Sequence, residues 1–170
     1  MAMALDQKEN KKNQGRADCR GYTLMELLIT MVLIAIVGLI AVPSFQRIAI
    51  NSNLKTGVRD IASDFALYKE RAIAENRMYR IVLNVGGGSY DIQQCGATGS
   101  VCGGYNSIQV KNLTQYARDI IFNSATVTTY VFQTRGTATN GTIVLRNSRN
   151  STGTITINIT GKTNVQFNLQ

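Results

Sequence analysis

Few residue types in this chain can do chemistry. Histidine and tryptophan are absent, and cysteine occurs three times, at Cys19, Cys95 and Cys102. Without an imidazole the many serines and threonines lack the usual general base, and a two-cysteine metal site lacks further ligands. Asp60, Asp64, Glu70 and Glu75 lie among Lys55, Arg59, Lys69 and Arg71 and read as a solvated helix face, not a catalytic acid pair. No spacing selects a Ser–Lys site. The prediction is no enzyme: no catalytic residue, no metal and no cofactor. Gly86-Gly87-Gly88 precedes neither a lysine nor a helix start, so it reads as a turn and not as a phosphate loop. Two features keep a chemical meaning. One is Glu26, the single charge between Tyr22 and Val42. The other is a cationic surplus near the C-terminus, where Lys111, Arg118, Arg135, Arg146, Arg149 and Lys162 face one acid, Asp119. Such a surplus suits phosphate, and equally an ordinary solvated basic surface.

Glu26 has to be positioned by the segment that contains it. From Leu27 to Val42 no residue is charged and Thr30 is the only clearly polar one. As a helix, Tyr22–Val42 spans roughly 30 Å, the thickness of a bilayer's hydrocarbon core. A helix in a soluble core normally keeps a polar stripe over that length. The segment therefore reads as membrane-spanning. Five basic residues precede it (Lys8, Lys11, Lys12, Arg16, Arg20) against three acids, which favours a cytoplasmic N-terminus and an outward-facing remainder. The run is longer than a signal-peptide core and continues into Pro43-Ser44-Phe45 without a small-residue cleavage pattern. A carboxylate inside such a run costs ~2.5–3.5 kcal/mol near mid-bilayer and less at its edge, so Glu26 calls for a partner.

Beyond Pro43 the apolar positions Phe45, Ile48, Ala49, Leu54, Val58, Ile61, Ala62, Phe65, Ala66, Tyr68, Ala72 and Ile73 recur mostly at steps of three and four. The spacing predicts one helix over about Thr23–Asn76, amphipathic in its outer half. Pro43 should kink it, and Asn51-Ser52-Asn53 and Gly57 should weaken it. From Tyr79 onward β-rich segments alternate with glycine turns. Strands are predicted at Tyr79–Val85, Ser89–Gln94, Ile108–Val110, Ile120–Asn123, Val127–Thr134, Thr142–Asn147, Thr154–Thr160 and Asn164–Leu169. In Thr154–Thr160 the three isoleucines alternate onto one face. The fold class is α+β: a long N-terminal helix, transmembrane and then amphipathic, packed on an antiparallel β-sheet domain.

Gly21-Tyr22-Thr23-Leu24-Met25-Glu26-Leu27-Leu28, the apolar run and Pro43 together resemble the class III signal of type IV pilins and type II secretion pseudopilins. The resemblance implies cleavage by a prepilin peptidase after Gly21 and N-methylation of Tyr22. It also implies that Glu26, fifth in the mature chain, compensates a neighbouring subunit's N-terminal amine during assembly. Pro43 falls at the family's helix proline, and Tyr22 stands where Phe is usual. The implied organisation is a leader over 1–21, a transmembrane and assembly helix over 22–50, and an extracytoplasmic pilin head over 51–170.

Phe65–Arg77 is similar to the helix end of the minor pilins and pseudopilins grouped as GspH/FimT, and Phe132–Gly136, Gly141–Leu145 and Ile157–Lys162 resemble that group's C-terminal half. The implied partners are other pilin or pseudopilin subunits, the peptidase, an inner-membrane assembly platform and, in DNA-binding relatives, DNA. The implied location is the bacterial inner membrane with a periplasmic head, then the filament. Cys19 leaves with the leader, and Cys95 and Cys102 in a Gly- and Ser-containing loop are expected to form a local disulfide. For DNA, Gly161–Gln166 lacks closely spaced arginines, so Arg146, Arg149 and Lys162 are the candidate contacts. Three functions compete: a type IV minor pilin that primes or caps the filament, a type II secretion pseudopilin, and a DNA-uptake component.

Overall fold

The computed structural model describes residues 22–116 and 119–170. Gly21, Cys19, the basic leader and Arg118 lie outside the described residues. By contacts the chain divides into two units, one ending at Ala41 and one covering Val42–Gln170.

Helix α1 runs Leu24–Ala74, continuous through Pro43. Local chemistry sets both ends. Thr23 caps the start, its Oγ1 accepting the Glu26 N–H at 3.2 Å. At the other end Asn76 adopts a left-handed φ of 48°, and Arg77 N–H returns to the Ala72 carbonyl at 3.2 Å, the hydrogen-bond pattern of a Schellman stop. Between Ala41 and Tyr22 the side chains are almost all exposed within the protein, and most of them are apolar.

In the second unit α1 buries Leu54, Val58, Ile61, Phe65, Tyr68 and Ala72, an alternating four-three spacing that keeps one stripe facing inward. Ala66 and Ile73, predicted for the same face, are exposed. The stripe packs on two four-stranded antiparallel sheets. The strands are β1 Tyr79–Asn84, β2 Ser89–Cys95, β3 Tyr105–Asn112, β4 Ile121–Ala125, β5 Thr129–Phe132, β6 Gly141–Arg146, β7 Thr152–Ile157 and β8 Thr163–Asn168. Their orders are β3-β2-β1-β5 and β4-β6-β7-β8. Inward-facing Ile81, Tyr90, Tyr130, Phe132, Ile143, Leu145 and Ile155 close one core around the helix. Phe65 stands edge-on to Tyr130 and Phe132 at centroid distances of 5.1 and 5.6 Å. Each such pair adds ~0.5–1.5 kcal/mol beyond its buried area. At Gly153 the helix meets the sheet directly: a Cβ there would stand 2.4 Å from Cγ2 of Val58.

All eight predicted strands exist, with shifted ends. β3 is longer than Ile108–Val110 because pairing with β2, not apolar alternation, defines it. Ile159 departs from the predicted isoleucine face. It is 68% exposed, because β7 stops at Ile157 and the Asn158 side chain turns the chain, accepting the N–H groups of Thr160 and Lys162.

Candidate functional site

The first candidate site is the N-terminal turn of α1. Thr23-Leu24-Met25-Glu26 places a hydroxyl at the cap and a carboxylate three residues on, where the free N–H groups of a helix start favour negative charge. Glu26 is exposed, and among the described residues its carboxylate has no hydrogen-bond or ion-pair partner. Thr30, the one hydroxyl deeper in the apolar run, donates to the Leu27 carbonyl at 2.9 Å and so presents little unsatisfied polarity to lipid. The Leu24–Ala74 helix contains a window of mean hydropathy 2.7, none of it buried. By length and composition it is able to cross a membrane.

The cysteine loop follows the helix stop. Cys95 and Cys102 form the expected disulfide, with Cα atoms 5.8 Å apart. Two contacts tie this loop to the end of α1. Arg77 Nη1 donates to the Cys95 carbonyl at 2.9 Å, and the Gly99 N–H donates to the Asn76 carbonyl at 2.6 Å.

The three candidate DNA contacts do not converge. Arg146 ends β6 and Arg149 lies on the following turn, where Arg149 shares a surface hollow of about 350 Å³ with Ser44, Arg47 and Ile48. Lys162 lies on the β7–β8 turn, at the other end of β7. A six-residue strand separates the two turns by roughly 20 Å.

Sequence reasoning missed two polar clusters. Asp64 is only 6% exposed, not on a solvated face as predicted. It accepts from the Tyr90 hydroxyl at 2.7 Å and pairs with Lys111 Nζ at 2.8 Å. Asp60 joins the same lysine at 3.4 Å and accepts from the Tyr116 hydroxyl. Burial alone would lower the Lys111 pKa, but the hydrogen bonds and charge of Asp64, with Asp60 adding, hold it above its ordinary value. Burial first, then the hydrogen bond and charge of Asp64, pushes the Tyr90 hydroxyl far above the ordinary tyrosine range. Lys111 is thus spent internally and leaves the free basic surface. In the second cluster Asn51, predicted only to weaken the helix, accepts from Asn147 Nδ2 and Ser151 Oγ at 3.0 and 2.9 Å and donates to the Gln170 carbonyl. It fastens α1, the β6–β7 turn and the C-terminus together. The only sequence signal for either cluster is a polar residue beside an apolar stripe, and the partners lie 26 to 119 residues away.

Comparison with known families accounts for both halves of the chain. The family model described as type II transport protein GspH matches residues 57–161, and the prokaryotic N-terminal methylation motif matches residues 16–42. The chain belongs to the GspH family. This GspH-family chain is a minor pilin or pseudopilin, a structural subunit that assembles with other pilin subunits. Its fold is similar to that of the minor pseudopilin EpsH of the Vibrio cholerae type 2 secretion system, with a TM-score of 0.57 at 12% identity over 68% of this chain and 97% of that one. It is also similar to the type IV minor pilin FimU of Pseudomonas aeruginosa, with a TM-score of 0.53 at 14% identity over 68% and 90%. Escherichia coli GspH gives a TM-score of 0.53 at 12% identity over 69% and 89%. No curated protein sequence matches significantly.

Proposed function

We propose that this GspH-family chain is a minor subunit of a type IV pilus, released from its leader by a prepilin peptidase after Gly21 and methylated on Tyr22. One observation carries the processing and assembly parts of the reading, which a pseudopilin would share: an exposed apolar helix whose capped first turn holds Glu26 within a methylation motif. The likeness to the type IV minor pilin FimU supports the pilus. Before processing, the chain sits in the inner membrane with its head in the periplasm. After processing, the Tyr22 amine supplies a positive charge at the membrane edge. Glu26 of an adjacent subunit pairs with it, and in a medium of low dielectric that pairing selects one axial register. Pro43 withdraws one backbone hydrogen bond from the helix and is the point where it bends during packing. An assembly platform in the membrane and a place at the growing tip, priming or capping the filament, complete the reading.

A second reading is a type II secretion pseudopilin, favoured by the description of the matching family and by the likeness to EpsH. A third, DNA uptake, rests on Arg146 and Arg149, with Arg47 lining the same hollow as Arg149.

The deciding experiment compares sheared surface pili from a strain lacking the gene with pili from the restored strain. Loss and rescue of pili supports the minor pilin. Unchanged pili with lost secretion supports the pseudopilin. Unchanged pili and secretion with lost transformation supports DNA uptake. Glu26→Ala should keep membrane insertion and lose incorporation, and normal incorporation of that variant refutes the assembly role. Mass spectrometry of the purified subunit should find Tyr22 at the N-terminus, carrying one methyl group.

A further inference from the structure

A surface cleft of about 780 Å³ lies between the exposed side of α1 and the β7–β8 turn. Arg59 and Lys69 of the helix and Lys162 of the turn bring three cations to it, against one carboxylate, Glu70. The floor is apolar and low, made by Ala62, Ala66 and Val165. The site is shaped as well as charged. Gly161 has a φ of +70°, and a Cβ there would stand 2.8 Å from Cδ of Lys69 and 3.0 Å from the Gly136 carbonyl oxygen. A glycine at this position is what lets the lysine stem lie between two converging loops. On the wall, Thr163 carries a buried hydroxyl with no hydrogen-bond partner among the described residues.

The charge balance narrows the occupant. Residues 51–170 hold twelve basic and six acidic side chains. Five of the six acids are already engaged within the domain. Asp60 and Asp64 hold Lys111, Glu75 accepts from Tyr79, Asp91 from Ser107, and Asp119 from Ser148. The ion pairs among the described residues both use Lys111, so Lys69 and Lys162 are available to an outside anion, as is Arg59, whose guanidinium lies over the Phe167 ring. A second copy of this chain offers no acidic segment to supply it. Nucleic acid fits less well than protein: Glu70 in the wall repels either anion, but a peptide also brings N–H groups that Glu70 can accept, and a phosphate chain brings none. The floor also offers no aromatic ring on which bases could stack.

We propose that this cleft binds a short acidic segment of a different filament subunit, through charge-assisted hydrogen bonds from Lys69, Lys162 and Arg59 to its carboxylates. The identity of the partner rests on the filament-subunit reading; the binding chemistry does not.

The test uses the full-length chain purified in detergent and fluorescence anisotropy with three labelled probes: a short oligoglutamate, the matching oligoglutamine, and an oligothymidylate of equal length. Oligoglutamate should bind about tenfold tighter than oligoglutamine or more. Lys69→Ala combined with Lys162→Ala should weaken it by about tenfold, while Arg80→Ala, on the other sheet, leaves it unchanged. Lys162 is exposed and Lys69 half-buried, and an unchanged circular-dichroism melt confirms that the double variant is folded. Three results overturn the proposal: no preference for glutamate, affinity unchanged in the double variant, or tighter oligothymidylate binding that the double variant loses. The last assigns the cleft to nucleic acid. Glu26→Ala should retain the affinity for oligoglutamate, so failure of filament assembly and failure of the cleft are read separately.

Discussion

Replacing Asp64 with alanine tests the buried cluster that joins α1 to the β2–β3 edge. The Tyr90 hydroxyl loses its acceptor at 2.7 Å inside a fully buried ring position, a loss of ~1–3 kcal/mol. Lys111 loses its closer carboxylate and keeps only Asp60 at 3.4 Å. Breaking a buried pair costs ~3–5 kcal/mol in total, and because the Lys111 side chain retains 19% exposure the lower end applies. Asp60 is 41% exposed, so Asp60→Ala should cost under ~1 kcal/mol. The assay is urea unfolding of the full chain in detergent micelles, followed by tyrosine fluorescence since tryptophan is absent. With m of ~1.5–2 kcal/mol per M, a loss of ~3 kcal/mol lowers the midpoint by ~1.5–2 M. The triple change Asp64→Leu, Tyr90→Phe and Lys111→Met removes the three most buried members of the set, leaves the more exposed Asp60 with Tyr116, and should recover much of that loss. A midpoint shift for Asp64→Ala no larger than that for Asp60→Ala refutes the reasoning, because the two carboxylates would then be equally solvated.

Three further outcomes follow from the geometry. Cys95→Ser with Cys102→Ser opens a loop of seven residues' separation and should cost ~2.5 kcal/mol on the chain-entropy account, measured by the same urea titration. Gly153→Ala drives a methyl into Cγ2 of Val58 and should cost ~1–3 kcal/mol, largely restored by adding Val58→Ala, which vacates that space; no rescue would disprove the direct contact. Stability should fall as pH rises above about 10. Burial pushes Tyr130 up to about 12, and burial with Glu75 pushes Tyr79 to the same value. Tyr90 and Lys111 are raised as well, so the folded state holds protons that the unfolded state has released. The contribution is complete below the unfolded-state values near 10 and disappears as pH climbs through the folded ones. A flat stability profile between pH 9 and 12 in a circular-dichroism pH series refutes it.

Much of the fold was legible because it is written in local patterns. The four-three stripe from Leu54 to Ala72 and the glycine-punctuated strands announced their elements, and an apolar run with one carboxylate marked a segment able to cross a membrane. The disulfide was legible for the same reason, being set by neighbours within a few positions of Cys95. β3 was half hidden because Asn106 and Asn112 stand where the alternation through Ile108 and Val110 calls for apolar residues, and only its pairing with β2 extends the strand. Ile159 misled because period-two alternation does not show where a side chain such as Asn158 will turn the backbone.

By itself, then, the sequence determined a long helix, apolar and long enough at its start to cross a membrane, followed by an antiparallel β domain, since hydropathy, helix periodicity and capping act over a few residues. Only the tertiary structure decided what the charges do. Asp64 and Lys111 are 47 residues apart, and whether either is solvated depends on the sheet closing over the helix. Tertiary structure also sent Arg149 and Lys162 to opposite ends of β7, and gathered Lys69, Arg59 and Lys162 around one cleft. Charge acts through space and not along the chain, so its partners are chosen by topology.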